Sequence, residues 1–293
     1  MHQYRKTLLI IPGLPRCATT AVVNLLTQHP DVFSSNIKEP HTLIPEVERS
    51  KLWGFDGESK QSFSKLGFID DEEQYLKNFD FFKEPGVYID ASTLYSVHHS
   101  FLNSLENIEA KGIAIKFLIL TRDPFKRAYS HYQFSVSRGE DPRNFSDAIR
   151  EELSGESDGW VIGGYLKGSS LKVVDAILER YSDDTIKIVD IMNDDIQSQA
   201  FMSDLNHFLG VSDFQYDLDV YGNESKEYGR IGGFLRKLAR KFRSFNPVLL
   251  DNKLTRSFFN YFICFLNKYL SKPKGEISDE ERQLYMREFG RLK

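Results

Sequence analysis

Apolar residues are concentrated in four short runs, each followed by glycine, proline or polar residues. The runs are 7–11, 87–91, 115–120 and 186–191. Runs that are apolar at nearly every position, rather than at alternate positions, are typical of strands buried on both faces of a parallel sheet. The pattern therefore predicts four central strands.

Helical spacing of apolar residues fills the intervals between these runs. The predicted helices are 20–28, 94–105, 125–135, 145–153, 164–181 and 196–209, the last closing at Gly210. Alternating strands and helices favour a three-layer α/β fold, with a mostly parallel central sheet and ligands at the carboxyl ends of its strands. We expect one domain over 1–293, with a basic helical segment over 223–293.

The overall charge argues against a nucleic-acid partner. The 293 residues carry a net charge of −4, so any anion site must be local. The largest local excess of positive charge lies in 226–256, with nine basic and two acidic residues. This segment contains a basic amphipathic helix. It is read either as a solvated helix face or as a weak contact for an anionic substrate or membrane surface.

The cysteine content indicates a reducing compartment. Cys17 and Cys264 are too few for a disulfide framework, and the first residues show no signal-peptide pattern. We expect a cytoplasmic protein, with a peripheral membrane association left open. A luminal domain cut from its anchor would look similar. The sequence does not indicate an oligomeric state.

The first predicted strand and helix enclose a loop of small residues, Gly-Leu-Pro-Arg-Cys-Ala-Thr-Thr. Free amides and the dipole at a helix start can hold a phosphate. Gly13 fits the nucleotide P-loop pattern, but Ala18 replaces its second glycine and Thr19 replaces its lysine. Arg16 supplies positive charge, which suits a phosphate-like group without a Mg²⁺ clamp. The alternative is an ordinary turn capped by Thr19 or Thr20.

This loop resembles the Gly-x-Pro-Arg-Ser-Gly-Thr-Thr loop with which P-loop sulfotransferases hold the 5′-phosphosulfate of 3′-phosphoadenosine-5′-phosphosulfate (PAPS). The chain differs at two positions, with Cys17 for Ser and Ala18 for Gly. The resemblance implies that PAPS contacts Arg16, Cys17, Ala18, Thr19 and Thr20. If Ala18 has a positive φ, its methyl group costs up to roughly 1 kcal/mol.

A second motif, Arg-Asp-Pro-Phe-Lys-Arg-Ala-Tyr-Ser-His-Tyr, follows the third predicted strand. It resembles the 3′-phosphate motif of the same family, which implies that Arg122 and Ser130 bind the 3′-phosphate. Arg127 and His131 are then expected to pack or pair locally. From the residues alone, a surface Arg–Asp pair and an exposed helix serine would be the simpler interpretation.

A third motif, Asn-Glu-Ser-Lys-Glu-Tyr-Gly-Arg over 223–230, is similar to the loop that closes over the nucleotide in glycosaminoglycan sulfotransferases. Lys226 and Arg230 are the implied nucleotide contacts, although Gly229-Arg230 is displaced by two residues from that pattern. The alternative is a solvated basic loop.

The segment Lys-Glu-Pro-His over 38–41 resembles the Lys-Glu-x-His segment of glycan sulfotransferases, whose Glu is the catalytic base. Glu39 is the implied base, and His41 lies on the same side if the segment is extended. Asp90 matches the family's Asp-Ala-Ser-Pro-x-Tyr segment, with Thr93 in place of Pro, and either orders the site or touches the acceptor. Tyr165 either borders the acceptor or packs internally.

The resemblance implies a PAPS-dependent sulfotransferase acting on a hydroxyl of a glycan, glycolipid or other glycoconjugate. Glu39, Arg16 and His41 are the expected catalytic residues, the product is 3′,5′-bisphosphoadenosine, and the chemistry requires no metal. The alternatives are an ATP-using P-loop phosphotransferase, and a non-enzymatic membrane or interaction protein with a degenerate nucleotide fold.

Overall fold

A computed structural model describes residues 6–37, 39–45, 75–77, 79, 85–137, 141, 143–154, 164–219 and 278–290. It contains a five-stranded sheet in the order β2-β3-β1-β4-β5, in which every pairing is parallel. The strands are β1 Thr7–Ile10, β2 Val32–Ser34, β3 Val87–Asp90, β4 Ala114–Thr121 and β5 Ile186–Asp190. The four predicted strands are confirmed, and β2 is an additional strand.

The strand register places two loops of the sequence analysis side by side. Ile10, the last residue of β1, pairs with Asp90, the last residue of β3. Because β1 and β3 are adjacent and parallel, the chain leaves both at the same edge of the sheet. The amide of Ile11 also donates to the carbonyl of Asp90, 2.8 Å away. This edge is where α/β proteins bind ligands.

Helices cover both faces of the sheet, which gives the expected three-layer α/β architecture. The described residues of the whole chain contain the helices α1 Thr19–Leu26, α2 Phe101–Glu109, α3 Pro124–Ser137, α4 Phe145–Ser154, α5 Lys172–Arg180, α6 Gln199–Leu209 and α7 Asp279–Gly290, of which α1, α2, α5 and α6 pack with the sheet. Leu8 and Ile10 of β1 lie in one core cluster with residues of α2 and α5. Leu9 lies in the other, with residues of α1 and α6.

Two predicted helices are interrupted. The predicted helix 94–105 is a 3₁₀ turn, Thr93–Val97, followed by α2. His98 between them has an extended backbone. The sequence pattern did not show this break, because Leu94 and Phe101 face the same core cluster on either side of it. In the predicted helix 164–181, Gly164 has a φ of 70° and a 3₁₀ turn precedes α5.

The chain divides into two compact units, 1–127 with 167–224, and 128–166 with 225–293. The sheet lies in the first unit. In the second, the buried Glu152 of α4 accepts hydrogen bonds from the amides of Tyr165 and Leu166. Phe145 of α4 stacks on Tyr285 of α7. Throughout the described parts of the chain, no helix combines the length and apolarity needed to cross a membrane.

Candidate active site

The loop between β1 and α1 contains three residues in the left-handed region. Gly13 has a φ of 97°, Arg16 of 73° and Ala18 of 58°. Ala18 precedes the first residue of α1 and has no side-chain hydrogen bond to cap it. The resemblance pairs this position with glycine, and the structure shows the backbone conformation that glycine tolerates best. The first amides of α1 therefore face the loop without a capping side chain.

Gly13 is pressed against the residues that follow β3. A Cβ atom at this position would lie 2.7 Å from the carbonyl oxygen of Thr93 and 2.9 Å from its Cα. Contacts below 3.0 Å are not seen for real Cβ atoms, so only glycine allows this approach. The loop after β1 and the turn after β3 are consequently in backbone contact.

Two arginines of the second motif donate to successive carbonyl groups of this loop. Nη1 of Arg122 lies 3.1 Å from the carbonyl oxygen of Arg16. Nη1 of Arg127 lies 3.4 Å from that of Pro15, while its Nε donates to Oγ of Ser169 at 2.6 Å. Arg127 is 0% exposed. The pairing expected of Arg127 is confirmed, and its partners include the Ser169 hydroxyl and the Pro15 carbonyl of the loop.

Burial and the nearby arginines act in opposite directions on Cys17. Burial raises the pKa of the Cys17 thiol to about 11, against the lowering effects of Arg127, Arg122 and Arg16.

Nε of Arg122 is buried and has no hydrogen-bond partner among the described residues. Guanidinium groups and uncapped helix amides are the donors that phosphate and sulfate groups accept from. The loop therefore fits an anionic donor.

Glu39 and His41 lie together, but not as the sequence analysis expected. Their φ angles are 55° and 53°, so the expectation of an extended segment is wrong. The turn still brings Nε2 of His41 to 3.7 Å from Oε2 of Glu39. Oγ1 of Thr93 donates to the same Oε2 at 2.9 Å. Glu39 is thereby joined, through Thr93, to the loop at Gly13.

Asp90 is buried beneath this segment, with 0% exposure. It accepts hydrogen bonds from Tyr75 at 3.0 Å and Tyr95 at 2.7 Å, and from the amide and hydroxyl of Ser92. Ser92 Oγ in turn accepts from the amide of His41 at 3.1 Å. Burial raises the pKa of Asp90, although its hydrogen bonds oppose that shift. Of the two roles considered for Asp90, this environment supports ordering the site.

Tyr165 has the environment of a packing residue. It is buried, its hydroxyl donates to Asp141 at 2.9 Å, and its ring contacts those of His131, Tyr132 and Phe145. Burial and the neighbouring Asp141 raise its pKa well above the ordinary tyrosine value. Of its two readings, internal packing accounts for these contacts.

The donor contacts expected of Ser130, Lys226 and Arg230 stay predictions. Ser130 belongs to the second unit and Arg122 to the first, so their convergence on one phosphate stays a prediction. Lys226, Arg230 and the basic segment 226–256 lie outside the described residues. In the parts of the chain that are described, no group of three or more His, Cys, Asp or Glu side chains could hold a metal ion.

Sequence reasoning missed Thr93 as a contact of Glu39. The two residues are 54 positions apart, and a threonine after a strand is an ordinary turn residue. The only available signal was the departure of Thr93 from the proline of the family pattern. It indicates that the position differs, without indicating which residue the hydroxyl meets.

Known structures share this architecture. The sulfotransferase from Alicyclobacillus acidocaldarius superposes with a TM-score of 0.59 at 22% identity, covering 87% of this chain and 99% of that one. The chain has a sulfotransferase fold. The sulfotransferase domain of the curacin biosynthetic pathway matches with a TM-score of 0.46 at 13% identity, over 97% of both chains. No protein-family model and no curated protein matches the sequence.

The loop after β1 and the turn after β3 are neighbours in this fold. Both lie at the carboxyl edge of the parallel sheet, where the sequence analysis expected the ligand. The described candidates Arg16, Cys17, Ala18, Thr19, Thr20, Glu39, His41 and Arg122 all belong to the first unit. This unit therefore carries the loop 13–20, the two arginines that donate to it, and the Glu39 carboxylate.

Proposed function

We propose that this protein transfers the sulfuryl group of PAPS to a hydroxyl of a carbohydrate or glycoconjugate, releasing 3′,5′-bisphosphoadenosine. One observation carries the proposal. The Glu39 carboxylate is hydrogen-bonded to Thr93, whose backbone is in contact with Gly13 of the loop 13–20. A base for a hydroxyl proton and a cradle for an anionic leaving group are thus joined at one edge of the sheet.

The donor side of the proposal rests on the loop 13–20 and the arginines around it. The amides at the start of α1 and the Arg16 guanidinium bind the 5′-phosphosulfate. Arg122, whose Nε is buried without a hydrogen-bond partner among the described residues, binds the 3′-phosphate. Thr19 and Thr20 offer hydroxyls at the first positions of α1.

The reaction follows from these positions. Glu39 accepts the proton of the acceptor hydroxyl as that oxygen forms a bond to sulfur. The bond between sulfur and the 5′-phosphate oxygen breaks, and its electron pair stays on that oxygen. Arg16 and the amides of α1 stabilise the charge that develops there. His41, at 3.7 Å from Glu39, orients the carboxylate or the acceptor.

A carbohydrate acceptor is supported by the resemblance of residues 38–41 to the glycan sulfotransferase segment, and by that resemblance alone. Labelled PAPS incubated with alkyl glycosides, oligosaccharides and phenols tests this choice. Transfer to a sugar hydroxyl is the expected result. Transfer to phenols alone would exclude a carbohydrate acceptor and leave the proposed sulfotransferase activity standing.

The donor is tested by comparing 3′,5′-bisphosphoadenosine with ATP and Mg²⁺ in thermal unfolding. A ligand stabilises the folded protein by RT ln(1 + [L]/Kd), so the true ligand raises the melting temperature. We expect the bisphosphate to do so. A rise with ATP and Mg²⁺ alone would favour the phosphotransferase, and no rise with either would favour a non-enzymatic protein.

The base is tested by Glu39→Gln, which keeps size and polarity but cannot accept the proton. Turnover should fall by about 10²- to 10⁴-fold with the Kd of 3′,5′-bisphosphoadenosine nearly unchanged. Turnover near that of the wild type would move the base to another group, and His41→Ala is the next variant to measure.

A further inference from the structure

We propose that Thr93 is a positioning residue for catalysis, which holds the Glu39 carboxylate at a fixed position relative to residues 13–20, the proposed phosphate-binding loop. This inference rests on the proposed function, because it assigns Thr93 a role that acts through Glu39. It goes further in naming the side chain that fixes the base and in predicting what its removal does.

The hydroxyl of Thr93 holds one defined oxygen of the base. Oγ1 of Thr93 donates to Oε2 of Glu39 at 2.9 Å, and Nε2 of His41 lies 3.7 Å from the same Oε2. Two groups thus approach one carboxylate oxygen from different parts of the chain. Such contacts fix the rotation of the carboxylate and leave its direction set by the protein rather than by solvent.

Thr93 is itself held at a fixed place on the sheet. The residue before it, Ser92, gives both its amide and its hydroxyl to Asp90, at 3.1 and 2.5 Å. Tyr95, two residues after it, donates to the same carboxylate at 2.7 Å. Asp90 is the fully buried last residue of β3. The Thr93 hydroxyl is therefore anchored to the strand through its neighbours.

The backbone of Thr93 also contacts the phosphate-binding loop, at Gly13. Gly13 approaches so closely that an added Cβ would meet the Thr93 carbonyl oxygen at 2.7 Å. One residue consequently touches the phosphate-binding loop with its backbone and the proposed base with its side chain. Thr93 therefore links the position of the proposed base to that of the loop proposed to bind the donor.

Glu39 needs such a partner. Its side chain is 26% exposed, and its φ of 55° places it in a turn rather than in a strand or helix. A glutamate has several freely rotating side-chain bonds and loses much conformational entropy when it is fixed. Without the Thr93 hydroxyl, the carboxylate would spend less time in the orientation that accepts the proton.

Thr93→Val tests the inference, because it preserves the shape of the side chain and removes the hydroxyl. Thr93→Ser restores the hydroxyl and is the matched control. The readouts are kcat for release of 3′,5′-bisphosphoadenosine from PAPS and the calorimetric Kd of that bisphosphate. Octyl glucoside is the acceptor, or water where the glycoside does not react. Both variants are also made in the Glu39→Gln background.

We expect Thr93→Val to lower kcat by about 10- to 100-fold, the loss of one hydrogen bond to a charged group, with the Kd within twofold of wild type. Thr93→Ser should recover most of the activity, and Thr93→Val should have no further effect once Glu39 is Gln. A purely structural role would lower turnover equally in both backgrounds.

Three outcomes would overturn the inference. Wild-type kcat in Thr93→Val, with Glu39→Gln inactive, removes the role of Thr93 and leaves the proposed function standing. A raised Kd for 3′,5′-bisphosphoadenosine with unchanged kcat would mean that Thr93 supports only the phosphate-binding loop and does not position Glu39. Wild-type turnover in Glu39→Gln, or no reaction of PAPS with the wild-type protein, removes the proposed base or function, and this inference with it.

Discussion

Nη1 of Arg122 donates a hydrogen bond to the carbonyl oxygen of Arg16, at 3.1 Å. The two residues are 106 positions apart and belong to the two motifs that the sequence analysis assigned to different phosphates of the donor. Arg16 has a φ of 73°, a conformation that costs energy for a residue with a side chain. Arg122 therefore helps to hold the first motif in its strained shape, in addition to its proposed role as a ligand.

These two roles of Arg122 predict unequal losses in Arg122→Ala. Binding of 3′,5′-bisphosphoadenosine should weaken by about 2 to 5 kcal/mol, the cost of truncating one partner of a partly buried charge pair. Adenosine 5′-phosphosulfate lacks the 3′-phosphate and should lose only about 1 kcal/mol, from the looser loop. Calorimetry with both ligands measures the difference, with Arg180→Ala on α5 as a control for charge. Equal losses for the two ligands would mean that Arg122 stabilises the loop and does not bind the 3′-phosphate.

The sheet and the loop 13–20 could be predicted from the sequence because their signals are local. Strands buried on both faces are apolar along their whole length, as at Leu8, Leu9 and Ile10. The loop 13–20 was predicted from its small residues and single arginine. Strand β2 was missed because Val32–Ser34 is only three residues long and its last residue is exposed.

The arrangement around Glu39 could not be predicted, because it depends on contacts between distant residues. The sequence suggested an extended segment at Glu39 and His41, whereas both residues adopt positive φ. Thr93, Ser92 and Asp90 stabilise that turn from the end of β3. Nothing local to residues 39–41 encodes these partners.

The left-handed Ala18 makes the loop a site where glycine stabilises the protein. Ala18 has a φ of 58°, so Ala18→Gly should raise the free energy of unfolding by up to about 1 kcal/mol. Ala21 lies inside α1, and Ala21→Gly should lower it by about 1 kcal/mol. Urea denaturation of both variants provides the comparison. Equal destabilisation by both would show that φ at Ala18 is not strained.

The thiol of Cys17 should be unreactive in the folded protein. It is buried, and burial raises its pKa to about 11, so roughly a thousandth of it is thiolate at pH 8. In a Cys264→Ser background, labelling by Ellman's reagent should be slow until urea unfolds the chain. Rapid labelling that reaches a plateau below pH 9 would mean that the arginine field outweighs burial.

Asp90 should make the protein less stable as the pH rises. Burial raises its pKa above the ordinary 3.8, so the folded protein retains a proton on Asp90 at pH values where the unfolded chain has lost it. The free energy of unfolding contributed by this group is highest below pH 3.8. It falls as the pH rises through the raised folded value, and is constant above it.

Asp90→Asn cannot ionise and should lack this fall, while the wild type shows it. The test is urea denaturation of both proteins between pH 3.5 and 8, choosing roughly half-unit steps that bracket the ordinary Asp pKa. Asp175→Asn, at an exposed position of α5, is the matched control. The difference in free energy between wild type and Asp90→Asn should decline with rising pH. A difference that grows instead would mean that the hydrogen bonds from Tyr75, Tyr95 and Ser92 stabilise the carboxylate by more than burial costs it, so that Asp90 is held ionised beneath Glu39.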